Sequence, residues 1–170
     1  MPAKLQAKLS IRTLRREDNE QVAKVIRTVM TSYNCVGEGY SIEDPEVDDM
    51  YTAYTNERSK FYVIADQDDK VYGCAGIGPL EGGSIDTCEL KKMYFYPEVR
   101  GLGLGQQMMD LCLSSAKDLG YKYCYLETIE DMHQANRLYV KYGFEKLCEQ
   151  QGGTGHTGCD TFYKKELSSE

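Results

Sequence analysis

Arg100-Gly101-Leu102-Gly103-Leu104-Gly105 stands between two segments of different periodicity. Ahead of it, Leu90-Lys91-Lys92-Met93-Tyr94-Phe95-Tyr96 reads as a strand that Pro97 stops. Behind it, Leu104, Met108, Leu111, Cys112, Ala116 and Leu119 recur at helical spacing as far as Gly120. A strand, a glycine turn and a helix start together leave several backbone N–H groups without intrahelical partners. The helix dipole adds partial positive charge at the same place, so the stretch predicts a site for an anion such as a pyrophosphate.

Spacing narrows the kind of site. A dinucleotide fingerprint counted from Gly101 meets Gln106 where its third glycine belongs, and no G-x-x-x-x-G-K-[ST] occurs anywhere. Arg-x-x-Gly-x-Gly at Arg100, Gly103 and Gly105 instead resembles the acyl-CoA loop of the GNAT superfamily of N-acetyltransferases. The resemblance extends from Glu89 to Leu147, about a third of the chain. Glu89-Leu90, Met93-Tyr94-Phe95, Pro97 and the Arg100 loop follow in family order. So does the later Ala135-x-x-Leu138-Tyr139-x-x-x-Gly143-Phe144.

Composition is compatible with that likeness. The chain has 170 residues, a length suited to one domain spanning 1–170. It is 41% hydrophobic and 11% aromatic, with 27 acidic residues against 20 basic ones and a net charge of −7. The bases form no stripe, which argues against a nucleic-acid surface, and the acidic excess favours a cationic or amine-bearing partner. No apolar run approaches the ~20 residues of a membrane span. Met1 to Lys8 lacks the apolar core of a secretory signal. Seven cysteines without CxxC spacing read as reduced, mostly buried thiols of a cytoplasmic protein.

Along the chain, a strand at Ile11–Leu14 precedes a helix carrying Val22, Val25, Ile26 and Val29, with Asp18 or Asn19 as its N-cap. A short second helix is expected after Asp44-Pro45, carrying Val47, Met50, Tyr51 and Tyr54. Phe61–Ala65 and Val71–Ile77 form a hairpin, and Thr87–Tyr96 adds a further strand. After the helix behind the glycine loop come a strand at Tyr123–Thr128, a helix closed by Gly143, and strands at Phe144–Cys148 and Thr161–Tyr163. The expectation is an α/β (α+β) fold: a mixed, mostly antiparallel sheet of six or seven strands with four helices on both faces. The resemblance implies that this sheet splays between its fourth and fifth strands.

The resemblance also implies roles. The backbone of Met93, Tyr94 and Phe95 would bond the pantetheine arm of acetyl-CoA, and amides of Arg100, Gly101, Leu102, Gly103, Leu104, Gly105 and Gln106 would take its pyrophosphate. The Arg100 side chain either adds a charge-assisted contact or faces solvent. A lysine-like acceptor amine, with a reference pKa near ~10.4, must lose a proton before it attacks. Glu89 matches the place where some family members carry that base; a solvated strand-end carboxylate is the other reading. Tyr139 matches the tyrosine that contacts the cofactor and protonates the departing thiolate, and a packed aromatic is the alternative. The place where the family often has a cofactor-contacting asparagine holds Met132.

Glu127, at the end of the neighbouring strand, and His156, in the loop Gly152–Asp160, are substrate-binding candidates, with His156 the second choice of base. Only two histidines and no paired cysteine spacing argue against a metal. Cys74, Cys88 and Cys124 fall in strands, where inert thiols are the default, so direct attack in a ternary complex is preferred to an acetyl-enzyme. The expected activity is transfer of acetyl from acetyl-CoA to a small-molecule amine. Acetylation of protein N-termini or lysines and a non-catalytic acyl-CoA-binding module are the alternatives. A homodimer is common for the family and is left open by the residues.

Overall fold

A computed structural model describes residues 8–167, so most of the N-terminal stretch read above (1–7) lies outside the described residues. Seven strands form one sheet in the order β1-β2-β3-β4-β5-β7-β6. They are β1 Ser10–Thr13, β2 Lys60–Ala65, β3 Val71–Pro79, β4 Thr87–Phe95, β5 Tyr123–Thr128, β6 Glu145–Leu147 and β7 Thr161–Glu166. The helices are α1 Asn19–Ser32, α2 Met50–Ala53, α3 Leu104–Asp118 and α4 His133–Lys141. All strand pairs are antiparallel except β4 with β5. Among the described residues no helix is long and apolar enough to cross a membrane.

Each face of the sheet has its own core. Alternate residues of β2 and β3 point to opposite sides, so Ile64, Ala75 and Ile77 pack under α3 while Phe61, Val63 and Cys74 pack under α1. The apolar stripe of α3 is buried at Leu104, Met108, Cys112 and Ala116, as its spacing predicts. Cys74, Cys88 and Cys124 are fully buried, and burial pushes the Cys74 thiol up to about 12, which removes it as a nucleophile at neutral pH.

Two local expectations are corrected. Asp18 precedes α1 but does not cap it with its side chain. Its buried carboxylate is spent on Arg12, at 2.8 and 2.9 Å, and on the Arg15 N–H at 2.7 Å. The helix expected after Pro45 is broken in two: a 3-10 turn at Pro45–Asp48, then α2, with Asp49 between them at φ −145° and ψ 65°.

Two irregularities of β4 position the site. The parallel ladder with β5 has three pairs, Thr87–Tyr123, Cys88–Cys124 and Glu89–Tyr125, and then stops. Beyond Glu89 the two strands part, which is the expected splay. On its other edge, β4 pairs Tyr94 with Cys74 but Lys91 with Gly76, so it holds one residue more than β3 does. Lys92 takes up that excess at φ +56°, a left-handed conformation that costs a non-glycine residue about 1 kcal/mol. The bulge reverses the alternation. Leu90 faces the α3 core, but both Lys91 and Lys92 face the α1 side.

Candidate active site

The Arg100 loop and the splay line one continuous cleft. Gly101 and Gly103 sit at φ +75° and +80°, a conformation only glycine adopts without strain, and a Cβ at either would meet nothing within 4 Å. Their requirement is therefore conformational. Gly105 has an ordinary backbone, and a Cβ there would touch Leu138 and Phe95 at a comfortable 3.5 Å. It lines the cleft, so its missing side chain leaves space for an occupant.

No side chain caps α3 and no acid stands in its first turn. The amides of Leu104, Gly105 and Gln106 precede the first helical bond, from Gln107 N–H to Gly103 O at 3.2 Å. Leu102 is partly buried against the apolar core beneath α3. Arg100 turns its side chain back onto the sheet, with Nε donating to the Phe95 carbonyl at 3.0 Å. Met93, Tyr94 and Phe95 form the opposite wall of the cleft, which holds about 280 Å³ of space open to water.

A second cavity, of about 50 Å³, continues from the first on the far side of the splay. Met93, Tyr94 and Met132 line both, so they mark the junction. Glu89, Glu127, His156 and Tyr139 line the second cavity. Tyr139 belongs to the α3-side core, packing on Tyr163 and Phe144, and reaches this cavity through the gap between β4 and β5. Burial holds its phenol above the ordinary range, so it carries its proton at neutral pH.

The acids here differ in how far their lone pairs are used. Glu127 accepts from Tyr125 Oη and Gln150 Nε2 on one oxygen, and from Thr154 Oγ1 on the other, all at 2.6 Å. His156 Nδ1 lies 3.4 Å from that second oxygen. Burial alone would raise Glu127, but these donors hold it below the usual carboxylate range. Asp44 is occupied by Lys92 Nζ and by His156 Nε2, the latter 3.0 Å from both oxygens. With a carboxylate at each ring nitrogen, His156 is pushed up to about 9 despite its burial. It is protonated at neutral pH, which removes it as a base and makes it a clamp between β5 and the Asp44 segment.

Glu89 is the exception. It is buried, and its nearest ionic partner, Lys91 Nζ, stands 3.7 Å away. Burial pushes its carboxyl up to about 7; Lys91 opposes the shift and Glu127 adds to it. Glu89, Glu127 and His156 each bring a potential metal-ligating atom within 4.8 Å of the others. The histidine and Glu127 atoms are already spent on one another and on their neighbours, so this set does not suit a cation.

The profile of the Acetyltransferase (GNAT) family matches residues 23–144. The chain belongs to the GNAT acetyltransferase family. It is 37% identical over 158 residues to an uncharacterized N-acetyltransferase, YjgM, of Escherichia coli (strain K12), which spans 92% of this chain and 94% of the relative. The fold matches the Salmonella typhimurium protein yncA, solved with its cofactor acetyl-CoA, with a TM-score of 0.73 at 18% identity over 95% of each chain. It also matches an N-acetyltransferase of Thermoplasma acidophilum in complex with coenzyme A, with a TM-score of 0.69 at 19% identity over 93% of this chain and 98% of that one.

In this GNAT acetyltransferase the residues picked from sequence line the two cavities, except Leu102 and Leu104, whose side chains pack into the core beneath α3. Sequence reading missed Asp44, Glu46 and Lys92. Lys92 left a signal: two successive lysines inside a buried strand cannot both face water under strict alternation, so a bulge or a buried charge is required. Asp44 and Glu46 left none, because only the tertiary fold brings their turn against β4. Asn136 serves the backbone, donating to the Ile129 and Glu130 carbonyls at 3.0 and 3.2 Å. The family's asparagine role is not transferred to it.

Proposed function

We propose that this acetyltransferase moves an acetyl group from acetyl-CoA to the primary amine of a small molecule, by direct attack in a ternary complex. One observation carries the reading. A cleft with free helix-start amides at one end runs through a shared wall at Met93, Tyr94 and Met132 into a pocket that holds Glu89. The glycine cradle and the uncapped start of α3 fit a diphosphate, and the relatives solved with acetyl-CoA or coenzyme A support this occupant. Acetyl-CoA supplies the acetyl group as a thioester.

The chain's own residues do the rest. Amides from Gly103 to Gln106 hold the diphosphate, and the unpaired edge of β4 beyond Glu89 offers backbone groups to an extended arm. Glu89 takes a proton from the amine nitrogen. In water a carboxyl near 4.5 is a weak base for an ammonium near ~10.4. Burial raises the first and desolvation in a narrow pocket lowers the second, so the two converge. As the amine nitrogen bonds the acetyl carbon and the carbon–sulfur bond breaks, Tyr139 gives its phenolic proton to the sulfur, and the second proton that the nitrogen sheds on becoming a neutral amide restores the phenol.

The acceptor pocket is small, and the segment 148–160 roofs it. That roof is fastened by the Gly158 N–H to Gly39 O at 2.8 Å and by His156 on Asp44. The narrow cavity under this roof favours a small amine over a folded protein, while a wider groove of about 390 Å³ borders Glu89 and His156 beside Glu46 and Glu81. The test is an amine panel with acetyl-CoA, read as free thiol, beside lysine and N-terminal peptides. Turnover confined to peptides, or none with any amine while acetyl-CoA binds, would refute the proposal.

A further inference from the structure

Two buried polar atoms near the base, Tyr54 Oη and Glu46 Oε1, leave hydrogen-bonding capacity unused. Tyr54, at the end of α2, lies on Phe61 with ring centroids 4.9 Å apart. It also covers Gly78: a Cβ built there would stand 3.7 Å from Tyr54 Cε1. Gly78 is the cross-strand partner of Glu89. Opposed residues of an antiparallel pair share a face, with Cβ positions about 5 Å apart, so Gly78 puts the buried Ser59, whose Oγ would stand 2.9 Å from such a Cβ, and the Tyr54 ring on the face that carries Glu89. Neither the Tyr54 hydroxyl nor Glu46 Oε1, both buried, has a hydrogen-bond partner among the described residues. Burial and the carboxylates of Glu46, Glu89 and Asp44 hold the Tyr54 phenol well above its ordinary range, so it always carries a proton to donate.

Asp44 is already spent on Lys92 and His156, whereas Glu46 Oε1 has Lys92 Nζ only at 3.6 Å, too long for a hydrogen bond, so Glu89 and Glu46 are the acceptors still open to a donor. A water needs two to four polar partners to be held in an interior, and these groups supply three. We propose that Tyr54 is a positioning residue for Glu89: its hydroxyl donates, through a water shared with Glu46, to the ionised Glu89 carboxylate. The inference rests on the reading of Glu89 as the base. The other charged and titratable groups around Glu89 are Lys91 and Lys92 on β4, Tyr125 and Glu127 on β5, Asp44 before the 3-10 turn, Glu81 in the β3–β4 connection, and His156 and Cys159 in the roofing segment.

The experiment measures kcat/KM against pH, with one acceptor amine, for the wild type, Tyr54→Phe, Glu46→Gln and Glu89→Gln. Loss of a donor to the charged form moves a carboxyl upward, so Tyr54→Phe should shift the acid limb up by about one pH unit, roughly tenfold at pH 6. The KM for acetyl-CoA should stay in place, and the deficit should shrink as pH rises. Glu46→Gln removes a neighbouring negative charge and should shift the limb down. If Glu89→Gln abolishes the limb while the Tyr54→Phe profile superimposes on the wild type, the inference fails and the base assignment stands. A uniform loss in Tyr54→Phe with the limb unmoved marks a merely structural role and also overturns it. Should Tyr54→Phe not fold, an unmoved limb in Glu46→Gln overturns it alone. A wild-type profile in Glu89→Gln removes both the inference and the reading beneath it.

Discussion

Replacing Glu89 with glutamine should make the enzyme slower and more stable together. The carboxyl is held at about 7 in the fold against 4.5 ordinarily, chiefly because burial penalises its charge. A raised carboxyl means that the folded state disfavours the ionised form. Below about pH 4.5 both states are protonated and no penalty exists; the penalty accrues from there and is complete above about pH 7. At 1.36 kcal/mol per unit, the difference amounts to about 3 kcal/mol at pH 8. Glutamine keeps the shape and cannot ionise. Glu89→Gln should therefore gain up to about 3 kcal/mol in urea unfolding at pH 8, several degrees in Tm, and almost nothing at pH 4. In the same variant kcat/KM should fall by roughly 10²–10⁴ with the loss of a proton acceptor. The wild-type rate should climb about tenfold from pH 6 to pH 8 as the ionised fraction rises from about a tenth to about nine-tenths. Turnover within a few fold of wild type, or a stability difference that does not depend on pH, would refute the reasoning.

Four further outcomes follow from the geometry. Gly105→Ala should leave Tm within a degree or so yet weaken acetyl-CoA binding by roughly tenfold, about 1.4 kcal/mol in calorimetry. Gly103→Ala should lose about 1 kcal/mol of stability from its left-handed backbone, and a reversed pattern between the two would contradict the cradle. Lys92→Met strands Asp44 and Glu46 without their buried cation and should cost about 3 kcal/mol in denaturant unfolding; a loss under 1 kcal/mol would show the ion pairs to be idle. His156, raised to about 9, contributes stability that is fully present below about pH 6.5 and lost as pH rises through 9. The difference between wild type and His156→Gln should fade over that window in pH-dependent melting curves, and a difference that grows with pH would overturn the clamp.

How much of this was legible beforehand depends on the range of each interaction. The glycine loop could be read because backbone conformation and free amides are local: Gly103 needs its left-handed angle whatever surrounds it. The α3 stripe and the buried strands followed from periodicity, since apolar residues need a dry side. Tertiary charge networks were hidden. Nothing near Glu127 in the chain announces that Thr154, Gln150 and His156 will fill its lone pairs, and so its role read as substrate contact. His156 read as a base because a lone imidazole titrates near neutrality, whereas two carboxylates brought in from distant segments hold it charged. The helix after Pro45 was expected whole because Val47, Met50 and Tyr54 keep a helical rhythm, although Asp49 breaks the backbone between them.

The extra residue in β4 acts as a change of parity within a single strand. Upstream of it, odd-numbered side chains look toward α1; downstream, even-numbered ones do, which is how Glu89 and Tyr94 come to lie on the same side. Pairing the strand without the bulge, at unchanged length, would turn every later side chain over, sending Met93 and Phe95 to the wrong core and Tyr94 away from Ser41. Substitutions along this segment each cost one contact, whereas a frame error in it would dismantle both cavities at once. Tolerance of register and tolerance of chemistry are therefore separate properties of this enzyme, and at Lys92 the first is the scarcer.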